Sequence, residues 1–102
     1  MLNITISEQA GRLVAAIVGD LDNAASSQAE RGLAPVFERT DCDVVIDCTE
    51  LNYISSSGLR ILLNIYKHIH GYGHWVILKG MSEDIKEVLG LGGFLQLFHT
   101  ED

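Results

Sequence analysis

The chain has 102 residues, 47% of them apolar and 21% charged, which are the proportions of one folded domain and exclude a disordered chain, a fibrous repeat or two full-sized domains. Seven basic against fourteen acidic side chains give a net charge of -7, and that sign is repelled by phosphate backbones and anionic lipid headgroups, so nucleic acid and bare membrane are poor partners. No apolar run approaches the roughly 18 residues of a spanning helix, and the start MLNITISEQ lacks a basic-then-apolar leader, so a cytoplasmic protein is expected.

Leu2, Ile4 and Ile6 alternate with Asn3, Thr5 and Ser7, the period of an edge-like strand with one buried face. After the turn at Gln9-Ala10-Gly11, the run from Leu13 to Val18 is apolar on both faces and predicts a central strand covered on two sides. From Asn23 to about Arg39, apolar positions Ala29, Leu33, Val36 and Phe37 step by three and four, a helix that Pro35 should kink or break near Gly32. Val44-Val45-Ile46 is a third, β-branched strand. Cys42 and Cys48 around it would lie roughly 20 Å apart on an extended chain at ~3.3 Å per residue, too far to bridge, and read as small buried apolar groups on one strand face.

The small polar stretch Asn52 to Gly58 precedes a helix that starts at its serines, with Leu59, Ile61, Leu62, Leu63, Ile65, Tyr66 and Ile69 on a broad apolar arc. Arg60, Asn64 and Lys67 fall outside that arc. Gly71-Tyr72-Gly73 ends the helix, His74 to Leu78 forms a fourth strand, Ser82 caps a helix to about Leu89, and Leu95 to Phe98 is a candidate last strand. The alternation predicts an α/β domain, with a mostly parallel mixed sheet of about four to five strands and helices packed on it; an α+β layer is the other arrangement the pattern allows.

Three hydroxyls at a helix start, Ser55, Ser56 and Ser57, are the sharpest local feature, because free backbone N–H groups and the helix dipole there favour an anion. One of them can equally be a plain N-cap with the others filling space before Gly58. A serine nucleophile lacks the G-x-S-x-G elbow. His68, His70, His74 and His99 do not have metal-ligand spacing and read as surface or rim histidines, so no metal and no cofactor is expected. Gly90, Gly92 and Gly93 lack the Gly-Lys-Ser/Thr of a phosphate loop, and Asp20 and Asp22 can be either an acid–base pair or turn formers.

Four segments in order resemble the STAS domain of bacterial anti-sigma factor antagonists: Gly19-Asp20-Leu21-Asp22, Val44 to Leu51, Tyr53-Ile54-Ser55-Ser56-Ser57-Gly58-Leu59, and Gly80 to Leu89 followed by Gly93-Phe94 and Leu97-Phe98. The resemblance implies a single STAS domain over residues 1–102 that is a binding module and not an enzyme. It implies a partner that is both an anti-sigma factor and a serine kinase, and a phosphatase that reverses it. The family's acceptor serine follows an Asp and precedes Ser/Thr-Gly, which carries over to Ser56, with Ser57 and Gly58 after it. Ser55 stands where the family usually has Asp and is therefore an alternative acceptor. The implied partner surface takes in Asp20, Asp22, Asn23, Ser55, Ser56, Ser57, Gly58, Arg60 and Asn64, since loops at the carboxyl ends of neighbouring parallel strands gather at one edge. The alternative function is a STAS-type regulatory or structural subunit that is never phosphorylated, for example beside a transporter.

Overall fold

The computed structural model describes residues 2–102. Leu2–Gln9 (β1) and Arg12–Leu21 (β2) form an antiparallel hairpin in the register Gln9↔Arg12 through Leu2↔Gly19. Its two-residue turn holds Ala10 at φ 53° and Gly11 at φ 77°, positive at both central positions as a type I′ turn demands. Ser26–Gly32 (α1) and Ala34–Phe37 (α2) follow, broken at Leu33 where Pro35 lacks the donor that a continuous helix would use.

Val44–Asp47 (β3) then runs parallel to the first half of β2, and Leu51–Ile54 (β4) takes over along its second half, in the register Gly19↔Leu51 and Leu21↔Ile54. Between them Asp47 Oδ1 accepts from the Thr49 hydroxyl at 2.6 Å and from its backbone N–H at 3.0 Å, which fixes the turn and holds the Asp47 carboxyl below its ordinary range. Ser56–Gly71 (α3), Val76–Lys79 (β5), Glu83–Leu91 (α4), a 3₁₀ turn at Phe94–Leu97 and His99–Glu101 (β6) complete the described chain. The six-stranded mixed sheet has the order β1-β2-β3-β5-β6, with β4 beside β2, and only β1 is antiparallel.

From β2 onward the strand order advances in one direction. Right-handed crossovers then place every helix on the same face. The core agrees: Ala29, Leu33, Ile61, Leu62, Ile65, Ile69, Ile85 and Leu89 from the helices pack with Leu13, Ala15, Ile17, Val44, Ile46, Val76 and Leu78 from the strands. Val45 and Ile77, which alternate to the other side, are buried yet stand outside that core.

Several sequence expectations are corrected here. The central strand is not helix-covered on two sides; Val14, Ala16 and Val18 are half-buried on the open face, where Val14 is aligned with Val45 and Val45 with Ile77. Six strands replace the expected four to five, because Leu51–Ile54 is extended and the terminal strand is His99–Glu101, with Leu95–Leu97 in the 3₁₀ turn. Cys42 and Cys48 are both free and buried, but they flank β3 and do not lie within it. Burial pushes the Cys48 thiol up to about 12, with Asp47 adding to the effect.

Candidate functional site

The site is built where β2 and β4 end together. Asp20 is aligned with Tyr53 and Leu21 with Ile54, and the Ser55 N–H donates to the Leu21 carbonyl at 2.9 Å, so the loop after β2 and the start of α3 are joined through backbone. Ser55 is the N-cap of α3: it is extended (φ -91°, ψ 175°), 9% exposed, and its Oγ accepts from the Gly58 N–H at 3.2 Å. Ser56 is the first helical residue and is exposed. Ser57 donates its hydroxyl to Asn23 Oδ1 and lies 3.2 Å from Ser55 Oγ.

Gly58 is dictated by contact. A Cβ there would meet Leu21 Cγ at 2.7 Å, the Leu21 carbonyl oxygen at 2.8 Å and Ile54 Cγ1 at 3.0 Å. The helix therefore begins against the ends of β2 and β4, and the exposed first residue is carried at the rim of the sheet. Asp22 Oδ1 accepts from the Ala25 N–H at 2.9 Å, and the Ser26 hydroxyl donates to the Asn23 carbonyl at 2.9 Å, which shapes the same rim from the other side.

Of the residues singled out by sequence, Asn23, Ser55, Ser57 and Gly58 meet in one hydrogen-bonded and packed cluster with Ser56 at its surface. Arg60 and Asn64 are exposed and extend from it along a groove of about 450 Å³, whose opposite wall is Ser26, Glu30, Ala34 and Phe37. Asp20 and Asp22 sit on the other flank, lining a shallow depression with Leu2, Ala25 and Gln28, and Asp22 serves as a turn former. Sequence reading did not single out Ser26 and Glu30, although their spacing of four on one helical face was a usable signal. It also did not single out Tyr53 as a surface residue, 53% exposed beside Asp20, because the stretch Asn52 to Gly58 reads as a loop before the helix and its pairing with β2 has no local signal.

The histidines lie elsewhere. His70 and His99 flank Trp75, with ring centroids at 5.2 and 4.1 Å, His68 packs between Phe37 and Tyr72, and His74 Nδ1 lies 3.3 Å from Asp43. Among the described residues no group of three or more His, Cys, Asp or Glu could hold a metal ion.

This arrangement, a mixed sheet with its helices on one face and a Ser-Ser-Gly stretch opening the long helix, defines a class of small α/β domains. The STAS domain family profile matches residues 3–102, and the chain belongs to that family. It is 31% identical over 97 residues, 95% of this chain and 84% of the other, to BtrV of Bordetella bronchiseptica, a provisionally designated anti-sigma factor antagonist. An anti-sigma factor antagonist from Mycobacterium paratuberculosis superposes with a TM-score of 0.84 at 20% identity, over 99% of this chain and 86% of that one. The Bacillus cell fate determinant SpoIIAA in its phosphorylated form superposes with a TM-score of 0.71 at 17% identity, over 96% and 90%. At these identities the two structures establish the fold. No helix among the described residues is long and apolar enough to cross a membrane.

Proposed function

We propose that the chain is an anti-sigma factor antagonist that binds an anti-sigma factor with serine kinase activity and is switched off when that partner phosphorylates Ser56. The observation that carries the reading is the division of labour among the three hydroxyls: Ser55 is a buried cap, Ser57 is bonded to Asn23, and Ser56 is exposed at the helix start. In the transfer, Ser56 Oγ forms a bond to the γ-phosphorus of ATP, ADP leaves, and the hydroxyl proton passes to a base on the kinase. Nothing in the antagonist needs to move for this, since the group acted on already faces outward.

The product adds about -1.5 to -2 charges at a helix N-terminus, where the dipole tolerates them, so the domain keeps its fold. A partner surface closed over the Ser56 rim must desolvate those charges, and a loss of roughly 3 kcal/mol corresponds to about a hundredfold weaker binding. The partner surface comprises Asp20, Asp22, Asn23, the Ser55 to Gly58 turn, Arg60 and Asn64, and a phosphatase restores the binding form. The protein works in the cytoplasm on this reading.

The test is incubation with the cognate anti-sigma kinase and ATP followed by site-localised mass spectrometry, with binding measured by calorimetry. Label on Ser56, together with a Ser56→Asp variant that stays folded and binds the partner weakly, is the expected result. Label confined to Ser55 or Ser57, or Ser56→Asp binding like wild type, overturns the assignment. A partner bound tightly with no label at any serine would instead favour the unphosphorylated regulatory subunit, for which the Ser55 departure from the family's Asp is the specific motive.

A further inference from the structure

The hydroxyls at the start of α3 form a chain whose direction can be worked out from what its two ends are able to do. At one end is the Gly58 N–H, which only donates and points at Ser55 Oγ at 3.2 Å. At the other end is Asn23 Oδ1, which only accepts, and it accepts from Ser57. Between them Ser55 Oγ and Ser57 Oγ are 3.2 Å apart. Each hydroxyl owns one proton. Since Ser57 gives its proton to Asn23, the proton between the two serines belongs to Ser55. The order is therefore Gly58 N–H to Ser55, Ser55 O–H to Ser57, and Ser57 O–H to Asn23.

A carboxylate at position 55 could not take part in this way. It accepts only, so it would draw the Ser57 proton toward itself and leave Asn23 without that donor. The neutral Ser55 cap is thus what turns Ser57 toward the β2–α1 loop.

We infer that Asn23 and Ser55 are positioning residues that commit the Ser57 hydroxyl to a one-way hydrogen-bond chain and so leave Ser56 as the free acceptor among the three adjacent serines. This rests on the phosphorylation reading above and adds what selects the acceptor. Ser57 would have to break its bond to Asn23 before attacking a phosphorus, and Ser55 would have to give up both its burial and its capping role. Ser56 has no side-chain hydrogen bond among the described residues and gives up nothing.

The experiment is phosphorylation by the cognate anti-sigma kinase with ATP, scored as the ratio of label on Ser57 to label on Ser56. The ratio is the readout, and total label is not, because Asn23 also lies on the proposed partner surface. Asn23→Ala removes the terminal acceptor, and the Ser57 share should rise about fivefold, the factor expected for loss of one ordinary hydrogen bond. Asn23→Asp keeps an acceptor oxygen at the same place and should restore the wild-type ratio. Ser57→Ala, folded by its spectrum, should leave label on Ser56 alone. An unchanged ratio in Asn23→Ala, or Asn23→Asp behaving like Asn23→Ala, overturns the positioning role while leaving the switch intact. Wild type that takes no label at all overturns the switch, and the selection inference falls with it.

Discussion

Gly58→Ala isolates the contact that seats α3 on the sheet. The added methyl would lie 2.7 Å from Leu21 Cγ and 2.8 Å from the Leu21 carbonyl oxygen, whereas carbon atoms rest at about 3.5 to 4.0 Å, so close to 1 Å of separation must be found. The Leu21 side chain is fully buried and can retreat little. Its carbonyl is held by the Ser55 N–H at 2.9 Å, and moving it loosens the cap itself. Overpacking of this kind costs about 1 to 3 kcal/mol, against a helix-propensity gain of at most about 1 kcal/mol. Because the clash involves the Leu21 carbonyl as well as a fully buried side chain, the upper end of that cost, about 3 kcal/mol, applies. The net loss is then about 2 kcal/mol, and at about 4 to 8 °C per kcal/mol for a domain of this size Tm should fall by about 8 to 16 °C. Gly71→Ala, where a Cβ meets nothing within 4 Å, is the matched control and should be neutral within about 0.5 kcal/mol. Thermal unfolding followed by circular dichroism decides it. Equal melting temperatures for the two variants would show that the start of α3 gives way easily and that Gly58 is not fixed by packing.

Leu62→Ala, at a side chain 1% exposed in the middle of α3, should cost about 2 to 5 kcal/mol in denaturant unfolding; a loss below about 1 kcal/mol would place Leu62 outside the core. Asp22→Ala and Arg60→Ala should weaken binding of the anti-sigma kinase by calorimetry, and if both bind like wild type while changes at His70 or His99 abolish binding, the partner reads the opposite end of the sheet. Cys48 gives a pH signature: its folded pKa of about 12 lies above the ordinary thiol value of about 8.5, so the stability from keeping it neutral is complete below about 8.5 and is lost progressively as pH rises toward 12. Unfolding free energy should therefore decline across that alkaline window in wild type and more gently in Cys48→Ala; parallel curves would refute the assignment of that slope to Cys48.

What the sequence disclosed follows the strength of its periodicities. The arc of α3, its start at the three serines, the break near Pro35 and the cap Ser82 depend on local chemistry and are all present in the fold, whereas which of the serines is the cap, Ser55, was not legible. β4 was illegible because Leu51–Ile54 has only two buried residues, separated by exposed Asn52 and Tyr53, and its place is set by pairing with β2. β6 was misplaced because Leu95 and Leu97 carry the apolar pattern while the paired residues are His99, Thr100 and Glu101, which are exposed. The two-sided apolarity of β2 misled in the same way: strands on either side shield Val14 and Val18 without a second helical layer. At the site, residue types were readable but hydrogen-bond partners were not, since Asn23 and Ser57 are joined only by the parallel alignment of β2 and β4.

If Ser56 is the phosphate acceptor, as proposed, the placement of the hydroxyls also keeps folding and binding separate. Ser55 and Ser57 are tied into the joint between β2 and α3, so charging either one would oppose the bonds that seat the helix. Ser56 is one residue away along the same helix, yet it is outside that joint and exposed. A dianion there meets helix N–H groups, worth about 0.3 to 1 kcal/mol in its favour, and no carboxylate at position 55. On the proposed reading, the cost of a phosphate at Ser56 would be shifted from the domain, which is only marginally stable, to the complex, where a few kcal/mol decide whether a partner is held.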